Sequence, residues 1–310
     1  MPRTAVEKRT DLRAQLESAG LVIAPGAYDA IMARLIEQND FRAIHITGGG
    51  ISRSMGYPDV GLLTMTEMVT RIGYIARSVD IPVIADADTG YGNVVNVKRA
   101  VEELEAAGAA AIHIEDEQEP KKCVLLGDVG HDVHLIPIEE MVAKLKAAQA
   151  ARSDPNFMIV ARVCATGDRD FKEVLRRGTA YAEAGADAVF LIHLSPDQLA
   201  EACEAVPAPV AYNATHHASW VRSFEPMNRT FSELEEMGLK ICIMSSSVAL
   251  GGIIGMQKLL DAVKQDGSVF RYFDGEEKAE AMSRFYSVTG APEVQEWEKR
   301  FLPTARDPSS

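Results

Sequence analysis

Three times in this chain a run rich in Ala and Glu ends in glycine and passes directly into a short apolar stretch. Glu102-Glu103-Leu104-Glu105-Ala106-Ala107-Gly108 leads into residues 111–114, Tyr181-Ala182-Glu183-Ala184-Gly185 into 188–192, and Leu234-Glu235-Glu236-Met237-Gly238 into 240–244. Each reads as helix, glycine cap and buried strand, because glycine closes a helix with left-handed backbone and an unbroken apolar run suits a strand covered on both faces. Strands at 21–24, 43–46, 82–85, 158–161 and 210–212 bring the number to eight, most of them separated by helical patterns. Eight β/α units in one chain predict an α/β fold of the (β/α)8 TIM-barrel type, with an open doubly wound sheet as the alternative that the count permits. At 310 residues and 47% hydrophobic content the chain suffices for one such barrel with additions.

The additions lie at the ends. An amphipathic segment at 9–19, with Leu12 and Leu16 four apart, opens the chain and stops at Gly20. Helices are expected at 30–38 and 66–78, and again at 248–264 and 276–300, beyond the last strand. The expected division is a catalytic barrel at 1–245, a helical extension at 246–302 and a polar, disordered tail at 303–310.

Charge narrows the function classes. A formal net charge of −13 argues against a nucleic-acid surface or an anionic membrane partner. The four cysteines are widely spaced with no CxxC pair, which fits reduced thiols rather than zinc or a disulfide framework. The charged N-terminus does not read as a signal peptide and no apolar run is long enough to span a bilayer, so a cytoplasmic protein is expected.

In a barrel the chemistry sits at the C-terminal ends of the strands, and polar residues collect there: Thr47, Gly48 and Gly49; Asp86 and Asp88; His113 and Glu115; Arg162; His193; Asn213. The sharpest signal is Asp86-Ala87-Asp88-Thr89-Gly90-Tyr91-Gly92. If strand geometry continues that far, Asp86 and Asp88 share a face, and His113 and Glu115 share one on the next unit. Clustered carboxylates need a cation, and all-oxygen donors favour Mg²⁺ or Mn²⁺ over zinc. The glycines of Thr47-Gly48-Gly49-Gly50 let backbone amides approach an anion closely, and Arg162 suits a carboxylate or a developing oxyanion.

These residues resemble the isocitrate lyase and phosphoenolpyruvate mutase superfamily, especially its 2-methylisocitrate lyase and dimethylmalate lyase branch. The resemblance runs from Pro25-Gly26-Ala27-Tyr28-Asp29 to about Asn213, through Asp86–Gly92, Glu115-Asp116 and Pro120-Lys121-Lys122-Cys123. It implies a Mg²⁺ ion contacted by Asp86, with Asp59, Asp88 and Glu115 holding its waters. It further implies a 2-oxo or 2-hydroxy carboxylate bound by the amides around Gly48 and Gly49 and by Arg162, with Thr47, Asp86, His193, Asn213 and Thr215 completing the substrate site. Cys123 matches the family's proton-donating cysteine on a mobile loop, and Tyr28, His113, Glu115 and Arg162 join it as catalytic candidates. The last helices are expected to be exchanged between subunits of a dimer or tetramer, most simply a homotetramer.

Two departures bear on the substrate. The Gly-His that follows the family's cysteine directly is found here only at Gly130-His131, and the sixth strand ends in Phe190-Leu191-Ile192-His193 where methylisocitrate lyases carry Phe-Pro-Glu. The expected activity is a Mg²⁺-dependent carbon–carbon lyase that cleaves a 2-hydroxy di- or tricarboxylate to pyruvate or another 2-oxo acid. The alternatives are an oxaloacetate hydrolase or decarboxylase, a phosphonate mutase, and a non-catalytic ligand-binding barrel. His216 and His217 are weaker substrate candidates.

Overall fold

The computed structural model describes residues 2–122, 134–214, 228–273 and 275–302. Eight parallel strands, β1 (Val22–Ala27), β2 (Ile44–Ile46), β3 (Val83–Asp86), β4 (Ala111–Glu115), β5 (Met158–Arg162), β6 (Ala188–Leu191), β7 (Val210–Asn213) and β8 (Ile241–Met244), close into a barrel in sequence order. The register at closure pairs Val22 with Ile241, and across the later site it pairs Asp86 with His113 and Glu115 with Arg162.

Helices α1 (Ala5–Glu17), α2 (Ala30–Gln38), α3 (Gly48–Ser54), α4 (Met65–Ser78), α5 (Val94–Ala106), α6 (Ile138–Ala151), α7 (Gly167–Glu183), α8 (Pro196–Ala205) and α9 (Phe231–Glu236) belong to the same unit, residues 1–250. Their starts are chemically specified. Asp29 Oδ1 accepts from Met32 N at 2.8 Å at the head of α2, and capping boxes of Thr64 with Glu67 and Ser195 with Gln198 open α4 and α8. The stops match the repeated pattern: Gly108 (φ +99°) and Gly185 (φ +95°) take the left-handed turn between helix and strand.

Strand residues alternate between two apolar layers. Ile44, Ile46, Val83, Ala85, Ile112, Ile114, Ile159, Ala161, Val189 and Leu191 face the helices. Val22, Ala24, Ala43, Ile84, Ala111, Met158, Val160, Ala188, Phe190, Ala211, Ile241 and Ile243 fill the barrel, joined by Leu12 of α1 at the end where the strands begin. Carried two or four residues further, this inward set ends in Thr47, Asp86, Glu115, Arg162, Asn213 and Ser245.

The expected architecture holds, with four local differences. α1 begins at Ala5 because Thr4 and Glu7 form a capping box ahead of the apolar spacing. The three glycines after Thr47 are the first turn of α3 rather than a loop. The strand of the acidic motif stops at Asp86, and Asp88 is left-handed (φ +47°), so strand alternation does not govern Asp88. The helical stretch expected at 276–300 is two helices, parted at Gly290 (φ +82°).

α10 (Ser247–Asp266) crosses the boundary between the barrel unit and a second unit of residues 251–310, which also holds α11 (Glu276–Ser287) and α12 (Ala291–Phe301). This second unit exposes large apolar side chains, among them Ile253, Ile254, Phe270, Phe285, Trp297 and Phe301. No helix among the described residues is long and apolar enough to cross a membrane.

Candidate active site

A cavity of about 60 Å³ opens at the C-terminal end of the barrel, lined by His45, Thr47, Gly49, Arg53, Asp59, Asp86, Arg162, Phe190, Ile192, His193, Asn213, Ser245 and Ser246. Seven expected site residues, Thr47, Gly49, Asp59, Asp86, Arg162, His193 and Asn213, are thus gathered at one opening. A second cavity of about 490 Å³ is lined by Asp88 and Lys121.

The carboxylates are packed closely. Asp86 Oδ2 accepts from Gly48 N and its Oδ1 from Asp88 N, both at 3.0 Å. The Gly48 amide is therefore engaged by Asp86, a role different from the substrate contact expected of it. An added Cβ shows why glycine stands here: at Gly48 it would lie 2.7 Å from Asp86 Oδ2, and at Gly49 2.5 Å from Asp59 Oδ2. α3 is a poor helix by composition, held by the Thr47 cap, and its bare backbone lets two carboxylates press against it.

Around a single point stand Asp59, Asp88 and Glu115. Lys121 Nζ occupies that point, 3.1 Å from Asp59 Oδ1, 3.4 Å from Glu115 Oε1 and in close contact with Asp88 Oδ1. On the outer side of Glu115, Arg162 Nη1 lies 2.9 Å from Oε2. Four carboxylates, Asp59, Asp86, Asp88 and Glu115, thus face two cations. Burial, reinforced by Asp86 and Glu115 against the opposing pull of Lys121, pushes Asp88 up to about 7. Burial would lower Lys121, but the surrounding carboxylates outweigh it and hold the ammonium charged far above its usual range. Burial would also raise Asp86, yet the positive charges nearby keep it below the ordinary carboxylate range.

A hard divalent cation fits this donor set. Asp59 Oδ1, Asp88 Oδ1 and Glu115 Oε1 are buried oxygens that share the single Lys121 ammonium, and the four carboxylates together carry more charge than the two cations beside them. Among the described residues the ligand atoms that lie within 4.8 Å of one another are those of a second group, Glu115, Glu117 and Cys164. It suits a metal less well, because burial pushes the Cys164 thiol well above its usual range, leaving it protonated, and Arg162 already binds the Glu115 oxygen nearest it.

Deeper in the barrel His113 is fully buried, its Nε2 2.9 Å from His45 Nε2 and its Nδ1 3.6 Å from Asp86 Oδ1. Burial lowers His45 to about 3, with His113 adding to the effect, and lowers His113 to about 4 despite the nearby carboxylate. Both imidazoles are neutral at physiological pH, so the approach of His113 to Asp86 is not an ion pair.

Other candidates resolve differently. Tyr28 packs against Gly50 and does not line the cavity. Asp116, adjacent to Glu115, is structural: its carboxylate accepts from Cys164 N, Tyr181 Oη and Arg177 Nη1 at 2.7, 2.7 and 2.9 Å, tying β4 to β5 and α7. Cys123, Gly130-His131, Thr215, His216 and His217 lie outside the described residues. Sequence reasoning missed His45, Ser245 and the cationic role of Lys121. His45 was legible, since it sits two residues before Thr47 on the same inward face; Lys121 follows no strand periodicity.

Comparison with known proteins agrees with this geometry. The family model described as phosphoenolpyruvate phosphomutase matches residues 12–264. The chain is 39% identical to a 2,3-dimethylmalate lyase of Eubacterium barkeri, over 94% of this chain and 96% of that one. It is 36% identical to a 2-methylisocitrate lyase of Aeropyrum pernix, over 95% and 90%. A solved phosphonopyruvate hydrolase in complex with oxalate and Mg²⁺ superposes with a TM-score of 0.81 at 30% identity, covering 96% of this chain and 99% of that structure.

Proposed function

The chain belongs to the phosphoenolpyruvate phosphomutase family, and from that premise we propose that it is a Mg²⁺-dependent carbon–carbon lyase. Its substrate is a 2-hydroxy di- or tricarboxylate of the alkylmalate or methylisocitrate kind, released as pyruvate or another 2-oxo acid plus a carboxylate. The observation that carries the reading is the convergence of Asp59, Asp86, Asp88 and Glu115, more carboxylates than the Lys121 and Arg162 cations among them balance, beside a cavity lined by Arg162. The lyase names of the two full-length relatives support it.

Asp86 would hold the cation directly and Asp59, Asp88 and Glu115 its water shell. When bound, Mg²⁺, for which Mn²⁺ can substitute, supplies positive charge to the oxygens that become negative as the carbon–carbon bond breaks. Arg162 has an Nε with no hydrogen-bond partner among the described residues, and its guanidinium, raised by Glu115 against the effect of burial, stays charged throughout. It binds a substrate carboxylate at the cavity wall and stabilises charge there as it grows. Thr47, Gly49, His193 and Asn213 orient the remaining polar groups. Cys123, by its place in the motif Lys121-Lys122-Cys123, protonates the leaving carbon, and the adjacent Lys122 favours the thiolate that remains. The exposed apolar faces of the second unit support association with further copies through α10–α12, in a helix-exchanged dimer or tetramer, and the acidic chain suits the cytoplasm.

The test is 2-oxo acid release from a panel of 2-hydroxy diacids, with and without EDTA. A lyase gives metal-dependent release that falls at least ~100-fold in Cys123→Ser. Undiminished turnover in that variant favours hydrolase, decarboxylase or mutase chemistry, and a wild type inert on 2-hydroxy and 2-oxo diacids alike favours a ligand-binding barrel.

A further inference from the structure

Among the described residues two arginines line the cavity, Arg162 at the end of β5 and Arg53 in the last turn of α3. α3 follows β2 through the Thr47 cap, and in a barrel closed in sequence order β2 and β5 stand three strands apart. The two side chains therefore enter the mouth from well-separated parts of its rim. Arg162 is already engaged, with its Nη1 2.9 Å from Glu115 Oε2. Arg53 is not: no hydrogen bond or ion pair holds its guanidinium among the described residues.

The guanidinium is nevertheless aimed. Helical side chains lean toward the N-terminus of their helix, which carries residue 53 back over residue 49, one turn earlier. The backbone at Gly49 shows the result, since a Cβ there would lie 2.8 Å from Arg53 Nη1 and 2.5 Å from Asp59 Oδ2. Gly49 and Asp59 both line the cavity, so the charged end of Arg53 stands at the cavity wall. The missing side chain at Gly49 is the room it uses. Asp59 is near but closes no ion pair with Arg53; its Oδ1 turns instead to Lys121 Nζ at 3.1 Å. Arg53 is thus an exposed guanidinium with all its fork-shaped donors unspent, at the edge of a site for an acid.

We infer that Arg53 receives the second carboxylate of a diacid whose first carboxylate is held by Arg162, which makes Arg53 a specificity-determining residue that selects dicarboxylates over monocarboxylates. The inference rests on the lyase reading for the carboxylate chemistry of the ligand, and it deepens that reading by assigning the far end. A diacid gains a charge-assisted, two-pronged hydrogen bond from Arg53, whereas a monoacid leaves the guanidinium in water and gains nothing. A purely structural role, a cation resting on the C-terminal dipole of α3, draws no distinction between the two ligands.

The experiment compares malate with 2-hydroxybutyrate, which carries a methyl group where malate has its second carboxylate, by calorimetry on the full-length protein with Mg²⁺. In Arg53→Met malate affinity falls about tenfold while 2-hydroxybutyrate affinity changes less than about threefold, and Arg53→Lys, which keeps the charge but not the fork, recovers part of the loss. Added NaCl should weaken malate binding more steeply in the wild type than in Arg53→Met. Equal loss for both acids, an unchanged malate-to-hydroxybutyrate ratio, the same salt dependence in both proteins, or a wild type with no preference for malate overturns the inference. A wild type whose malate preference depends on Arg53, yet which releases no 2-oxo acid from any 2-hydroxy diacid, supports the inference and defeats the lyase reading alone.

Discussion

The two ends of the barrel treat buried charge in opposite ways. Where the strands begin, α1 inserts Lys8, Arg9 and Arg13, whose charges are each met by carbonyls or carboxylates, although Arg13 Nε has no hydrogen-bond partner among the described residues. Lys8 Nζ donates to Ala76 O and Val79 O at 2.8 and 2.6 Å, Arg9 Nε to Ala109 O at 3.1 Å, and Arg13 Nη2 lies 2.7 Å from Asp187 Oδ1. Glu105, 3.5 Å from Arg9, also accepts from Ser153 N, Ser153 Oγ and Asp154 N at 2.8–2.9 Å. Where the strands end, four carboxylates, Asp59, Asp86, Asp88 and Glu115, share two cations, Lys121 and Arg162. A buried charge that is paired and hydrogen-bonded costs little to keep, whereas an excess of one sign is a cost that folding alone does not return. The first end is built to hold the barrel shut, the second to hold a ligand.

Substitutions that break this contrast should separate stability from activity. Arg9→Met leaves the carbonyls of Glu105 and Ala109 without their donor and the Glu105 carboxylate without its countercharge, and should cost about 3–5 kcal/mol in urea unfolding. Activity per folded molecule should stay at the wild-type level; a stable Arg9→Met protein with impaired turnover would reverse the assignment. Asp88→Asn should do the opposite, lowering 2-oxo acid release by about 10–100-fold while leaving the melting temperature of the metal-free protein unchanged or higher.

A pH series sharpens the same comparison. Burial and the neighbouring Glu115 push Glu117 up to about 7. The folded protein then holds this proton where the unfolded chain has released it, so the stabilisation is full in acid and is lost as pH climbs from the unfolded carboxyl value toward 7. Metal-free protein should lose stability across that window, and Glu117→Gln should flatten the slope; an identical slope in the variant would remove Glu117 as its source. The smallest effect belongs to a site outside both ends. Thr64→Ala deletes the cap of α4 and should cost about 1 kcal/mol with activity intact.

Sequence made the fold legible because the barrel repeats its instructions. Gly108, Gly185 and Gly238 mark helix ends, and α2 occupies Ala30–Gln38 as its spacing predicts. The rim was legible for the same reason, since inward residues recur every second position up to Thr47, Asp86, Glu115, Arg162 and Asn213. What escaped lies where periodicity stops. Asp88 joins the cluster by a left-handed turn, Lys121 reaches it from a connection between elements, and α3 runs through three glycines that propensity alone assigns to a loop. Those glycines show their reason only once Asp59 and Asp86 are seen against their backbone.

Calorimetric titration of the wild type and of Asp86→Ala with Mg²⁺ tests the contrast between the two ends most directly. One ion should bind per wild-type chain, with binding abolished or weakened at least ~100-fold in the variant while the fold persists by circular dichroism. Wild-type protein that takes up no divalent ion, or an Asp86→Ala protein that binds it undiminished, would contradict the account.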